Sequence, residues 1–225
     1  MKSEYASALR INSANVCDLE KNLDKYKGCF DEVFFFSQST HSVRGLEYHK
    51  NEAEKLKPYV DMVKKKGLRA GINVLDTIGF FREALDDSME NAKVYCYQNG
   101  AEALGRLCPC DRDNIDFYKE QYRIYARLFP DIIYIDDDIS SLACACDDCI
   151  KRFALLNPDI VNSGLGRDEF LSLLNNDDIN TRERIRTAWI RFNSLRMEEL
   201  FKNIEAAVHE VDPKIKLGAI RQRRA

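Results

Sequence analysis

Cys144-Ala145-Cys146-Asp147-Asp148-Cys149 packs three cysteines into six residues, the densest set of metal-binding atoms in the sequence. In extended chain, residues two apart point the same way, so Cys144 and Cys146 can face one ion. Cys149 can converge on it from a knuckle at the start of a helix that continues through Ile150 to Leu155. Zinc takes four such ligands in a tetrahedron, with sulfur at about 2.3 Å. Cys108 or Cys110, the other close cysteine pair, must supply the fourth. Both stand just ahead of a helix that leads into an acid-tipped strand, one crossover away from the Cys144 cluster. Four thiolates leave no open coordination position, so this metal is expected to be structural rather than catalytic. A redox pair or inert buried thiols are the competing uses. Cys17, Cys29 and Cys96 stand alone and are expected to be core or partly buried thiols.

The second chemical feature is Asp136-Asp137-Asp138, directly after the apolar run Ile132 to Ile135. Adjacent carboxylates repel, which raises at least one pKa, as a general acid requires. Strand alternation sends Asp136 and Asp138 to one side and Asp137 to the other. The plainer use of the trio is capping or solvation where a strand emerges. A second catalytic carboxylate would have to lie nearby, and Asp76 is the local alternative. Gln38, His41 and Asn73 also follow or end strand-like runs, and their amides and imidazole can donate to and accept from a ligand's hydroxyls. Trp189 is spaced as a core residue. His49 and His209 fall on helical stretches without ligand partners and are expected at the surface.

These residues need elements to hold them. Glu32 to Phe36 is nearly continuous apolar sequence, as in a strand covered on both faces. Ala53, Leu56, Val60 and Val63 step at helical spacing, with Pro58 a candidate break. Gly67 ends that helix, and Leu68 to Leu75 is the next strand. Residues 76–111 are irregular by this test, apart from a candidate extra strand at Lys93 to Gln98. Ile115, Tyr118, Tyr122, Tyr125 and Phe129 mark one face of a helix stopped by Pro130. A long helix begins near Asn180, with Glu183 as its capping-box partner. It turns Ile185, Trp189, Phe192, Leu200, Ile204 and Val208 toward a core. Lys214 to Ile220 forms a last strand, and Leu9 to Asn12 a possible first one. Alternating strands and helices imply a parallel sheet with right-handed crossovers. The expected fold is α/β, a (β/α)-barrel of TIM type with only strands one or two to five of its eight. Residues 1–225 read as a single domain, truncated at its C-terminal end. An open doubly wound sheet is the rival, though no Gly-rich phosphate loop follows any strand.

Composition bounds the function. The 225 residues are 45% hydrophobic and 32% charged, with a net charge of -3 and a pI near 5.8. No basic field suggests nucleic acid: Lys64 to Lys66 and the terminal arginines are local runs. No apolar run nears the roughly 20 residues of a membrane span. Met1 to Arg10 lacks the pattern of a signal peptide, and eight cysteines without one suggest reduced thiols in the cytoplasm. A homo-oligomer is one way to cover the open edges of a partial barrel.

The order of features, Cys108-Pro109, helix, acid-tipped strand, Cys144-x-Cys146-x-x-Cys149, Arg152-Phe153, resembles the zinc-bearing β-galactosidases of glycoside hydrolase family 42. It is closer still to their uncharacterised barrel relatives, in which a strand ends in consecutive aspartates. The resemblance spans about residues 28–220, and its specific part is 108–153. It implies a (β/α)₈ barrel, retaining hydrolysis of β-linked terminal sugars, and a zinc on Cys108, Cys144, Cys146 and Cys149, with Cys110 a bystander. It also makes Asp138 the acid/base and Asp137 its neighbour, where the family has an Asn-Glu pair. The family nucleophile, on the seventh strand, has no match here. A non-catalytic, zinc-stabilised carbohydrate-binding or interaction module is the alternative. A magnesium-dependent phosphatase is disfavoured, because no glycine loop or partner lysine accompanies the aspartates.

Overall fold

The computed structural model describes residues 7–78, 85–136 and 143–219. Five parallel strands form its sheet: β1 (Ala8–Asn12), β2 (Glu32–Phe36), β3 (Arg69–Val74), β6 (Ile132–Ile135) and β7 (Lys216–Ala219). They lie side by side in chain order, with the hairpin strands β4 (Val94–Cys96) and β5 (Glu102–Leu107) set apart as an antiparallel pair. A doubly wound sheet reverses direction at a switch point; here the order never reverses. Right-handed crossovers without reversal put every connecting helix on one face, as in a barrel wall. The partial α/β barrel is therefore observed, and the doubly wound alternative falls.

The helix-bearing face carries Val33, Phe35, Ile72, Val74, Ile133 and Ile135, all buried. Against it lie α2 (Leu46–Lys65), α3 (Arg112–Ala126) and the C-terminal half of α6 (Ile179–His209); the short α1 (Leu19–Lys25) covers the crossover from β1. Ala53, Leu56, Val60 and Val63 of α2 and Tyr118, Tyr122 and Tyr125 of α3 are buried as their spacing requires. Pro58 does not interrupt α2. Glu54, whose carbonyl loses its partner to the proline, is exposed, so water can satisfy it. Phe129 departs from expectation: it lies beyond the helix at φ 52° and is 53% exposed, in the turn that Pro130 closes. The long helix starts as expected but is capped by Asp178, whose carboxylate accepts from the Thr181 amide, rather than by an Asn180–Glu183 box.

The opposite face alternates large and small. A Cβ on Gly71 would run into the Phe34 ring, and one on Gly218 would lie 2.7 Å from the Tyr134 ring. Phe34 and Tyr134 meet edge to face across that gap, with centroids 4.7 Å apart. Gly71→Ala is expected to cost about 1–3 kcal/mol in urea unfolding, through overpacking. Phe34→Leu should recover much of that loss, and equal losses in the single and double variants would refute the clash.

After β6 the chain builds a small helical layer from α4 (Asp147–Leu156), α5 (Arg167–Leu174) and the N-terminal half of α6. At 31 residues, α6 spans about 46 Å, far more than a barrel strand needs. Its outer half closes on an aromatic cluster. The Trp189 ring lies 5.1 Å from Phe153, 4.6 Å from Phe170 and 5.4 Å from Phe192. Trp189 is thus core, as its spacing indicates. No helix among the described residues is long and apolar enough to cross a membrane.

Candidate metal centre and the carboxyl end of the sheet

Three pieces of chain converge on the cysteines. Cys108 follows β5, in the turn that ends at Asp111, the cap of α3. Its amide donates to the Lys93 carbonyl at 2.8 Å, while the Asn114 side chain clamps both the Cys108 and Lys93 carbonyls. Cys144 arrives in extended chain pinned to β4: Ala145 N–H donates to Cys96 O at 2.8 Å, and Cys96 N–H donates to the Cys144 Sγ at 3.4 Å. Cys146 caps α4 and Cys149 lies in its first turn.

The four ligating sulfurs lie within 4.8 Å of one another and are buried. Cys108 Sγ is 3.8 Å from that of Cys146 and 3.5 Å from that of Cys149. A tetrahedron of radius about 2.3 Å has edges near 3.8 Å, so the set fits a single ion. An iron–sulfur cubane would hold its thiolates farther apart. Cys110 touches Cys108 and Cys149, but it lies outside this four and is partly exposed. The close group of four thus contains Cys108 and not Cys110.

The electrostatics point the same way. Four close thiols cannot all ionise by themselves. Hydrogen bonds shared among neighbouring thiols, then burial, push Cys108, Cys144 and Cys149 up, while Cys146 is driven down as the shared acceptor. A divalent cation is what would let all four carry charge. Lys93 already faces this charge: its pKa is raised by its bond to Asp148 and further by the fields of Cys146 and Cys108. The amino end of α4 adds its own positive pole.

The lone cysteines divide. Cys96 is buried as expected, but Cys17 and Cys29 are exposed, which corrects the expectation of burial for both. They fall in the short segments around α1, where little chain is available to cover them.

At the carboxyl end of the sheet, Asn73 and Asp136 occupy the face away from the helices. The Asn73 amide donates to Asp136 Oδ1 at 3.1 Å. Arg10 and His41 place nitrogens 3.8 Å from the same carboxylate, and Arg10 stacks over Phe36 at 4.9 Å. His41 Nδ1 also lies 3.1 Å from Leu75 O, and Gln38 donates to Ser42 O at 2.9 Å. Asn73, His41 and Asp136 therefore meet. Gln38 joins the same strand end through its backbone, whose carbonyl accepts from Asn12 at 3.5 Å. Asp137 and Asp138 lie outside the described residues.

Two expectations are overturned. Asp76 does not face the mouth: it is fully buried on the helix side, where Gln121 donates to it at 2.7 Å. His49 is not a surface residue but is fully buried beside it, with Nε2 at 3.1 Å from Asp76 Oδ2. His209 is partly buried, with Nε2 at 3.1 Å from Ile215 O. The reason is tertiary: α2 and α3 cross over the end of β3, and a polar patch on each closes on Asp76. The candidate strand at Lys93 to Gln98 is observed as β4, but its hairpin partner β5, which leads to Cys108, went unread. Its signal was the Asn99-Gly100 dipeptide, a hairpin turn with Gly100 at φ 84°.

No protein-family model and no curated protein matches the chain. Among solved structures, it is similar to the catalytic domain of β-amylase from Paenibacillus polymyxa, with a TM-score of 0.62 at 12% identity. The match covers 95% of this chain and 65% of that one. At that identity the likeness establishes fold. The chain has the architecture of an incomplete TIM-type barrel, and it spans 65% of the domain it matches. Beside the acidic strand end it carries a buried four-cysteine site able to hold a metal ion.

Proposed function

We propose that the chain is a single glycoside hydrolase-like barrel domain that acts on β-linked terminal sugars of β-galactoside type. A structural zinc would be held by Cys108, Cys144, Cys146 and Cys149. Zinc suits the site because four buried thiolates in a closed tetrahedron match its usual structural coordination. It would supply cohesion, not chemistry.

The observation that carries the reading is the junction of two features: the Asn73–Asp136 pair at the carboxyl end of the sheet, and the metal-ligand segment that begins a few residues farther on. Barrel enzymes place their chemistry at this end. Gln38 Oε1 and Asn73 Oδ1 are buried there without a hydrogen-bond partner, which suits donation from sugar hydroxyls. In this reading Asp138 protonates the leaving oxygen, with Asp137 beside it, while Gln38, His41 and Asn73 hold the sugar. A second carboxylate attacks the anomeric carbon.

Nitrophenyl glycosides test the proposal in the intact gene product. Asp138→Asn is expected to lower kcat/KM by about 10²–10⁴-fold, the usual contribution of a general acid. Wild-type activity no higher than background would sink the enzymatic reading. Sugar binding without hydrolysis would instead identify the zinc-stabilised carbohydrate-binding module.

A further inference from the structure

His49 stands at the start of α2 with no exposed surface, and nothing in the sugar or metal chemistry uses it. Its protons can be placed from its neighbours. Tyr125 is wholly buried, with its phenol pKa raised well above normal by burial and then by Asp76, so it keeps its proton. That proton goes to Ser37 O at 3.4 Å. The Tyr125 oxygen therefore accepts from His49 Nδ1, 2.9 Å away, and Nδ1 carries hydrogen.

Nε2 faces two oxygens, Asp76 Oδ2 at 3.1 Å and Arg44 O at 3.2 Å. A bare lone pair there would be repelled by both. Gln121 Nε2 is also 3.1 Å from it and keeps a second hydrogen beside the one it gives Asp76 Oδ1 at 2.7 Å, but a hydrogen on the ring nitrogen is what meets both oxygens. Turning the amide over would set its oxygen against the carboxylate. Among the described residues Asp76 Oδ2 has no conventional hydrogen bond, and His49 Nε2 is the nitrogen set against it. A buried carboxylate without a cation is costly. The other charged groups nearby are engaged elsewhere: Arg44 with Asp86 at 2.8 Å, and Glu52 with Ser13 at 2.8 Å and Lys55 at 2.6 Å. Tyr48 offers only a ring edge, at 5.5 Å.

We propose that His49 is an imidazolium paired with Asp76 inside the protein, and that this pair positions residues 37–45, the segment that brings Gln38 and His41 to the carboxyl end of the sheet. The links are direct. His49 holds the Arg44 carbonyl at the far end of the segment and, through Tyr125, the Ser37 carbonyl at the near end. Asp76 anchors both to the strand beside Asn73. His49 is a positioning residue and does not touch the sugar. The carbohydrate reading matters here only in giving that segment a ligand.

Nitrogen NMR of the imidazoles tests the charge. The chain has three histidines, so His41→Asn and His209→Asn spectra assign the His49 signals. At neutral pH both His49 nitrogens should show the shifts of protonated nitrogen. One nitrogen at the unprotonated shift would overturn the imidazolium.

Hydrogen exchange tests the positioning. In Asp76→Asn the Ser37, Tyr48 and Leu75 amides should exchange at least about tenfold faster, with Tyr97 and Leu107 unchanged. Uniform acceleration, or none, would overturn it. Should Asp76→Asn fail to fold, Tyr125→Phe keeps the ion pair but cuts the bridge to Ser37, and the Ser37 amide alone should quicken. A parent protein that binds no sugar would end the carbohydrate reading and leave both outcomes intact.

Discussion

Cys149→Ser protein purified without chelator is expected to hold less than about a tenth of an equivalent of zinc, against about one in the parent. A serine hydroxyl stays protonated at neutral pH, so the variant offers three thiolates and an open corner. The structural consequence should be large. The site joins the turn after the hairpin to the extended stretch at Cys144 and the start of α4. Structural zinc in small domains contributes about 10–16 kcal/mol of apparent binding free energy, so its loss should melt the layer of α4 and α5 well before the sheet. Metal analysis and a thermal scan in the presence of a chelator read this directly. Cys110→Ser is the control and should keep its full equivalent, since Cys110 lies outside the four. Full zinc in Cys149→Ser, or its loss in Cys110→Ser, would show that the ligand set is wrong.

Phe153→Ala should lower stability by about 3–5 kcal/mol, the range for removing a large buried aromatic side chain. Phe153 has no exposed surface and lies edge-on to Phe170 at 5.9 Å, Trp189 at 5.1 Å and Phe192 at 5.7 Å. The cavity cannot collapse easily, because those rings are held by two other helices, α5 and α6. Trp189 is the single tryptophan, so its fluorescence reports this cluster, and the variant's emission should move to the red as water enters. Zinc content should stay near one equivalent, which separates this effect from loss of the metal. A urea-unfolding loss below about 1 kcal/mol would mean that the cluster is not a packed core.

The sequence displayed whatever is written along one element. Phe34 to Phe36 and Ile132 to Ile135 announce strands because burial on both faces demands an unbroken apolar run. The steps of Ala53, Leu56, Val60 and Val63, and of Tyr118, Tyr122 and Tyr125, announce helices because one face must be dry. The Cys144, Cys146 and Cys149 spacing is legible for the same reason: a knuckle is a local geometry. Even the strand β1 was visible in five residues, although it needed β2 beside it to count as a strand.

The tertiary structure alone decided how these pieces meet. It placed Cys108 rather than Cys110 within reach of the other three sulfurs. It carried Asp76 to the helix face, away from the mouth where its neighbour Asn73 stays. It also enclosed His49, a histidine with no local mark of burial, against Asp76, Gln121 and Tyr125 from two other elements. Periodicity records how much of a residue is covered, because covering acts on each residue where it stands. It does not record what does the covering, because that depends on the crossing of α2 and α3 over the end of β3, which no stretch of sequence contains.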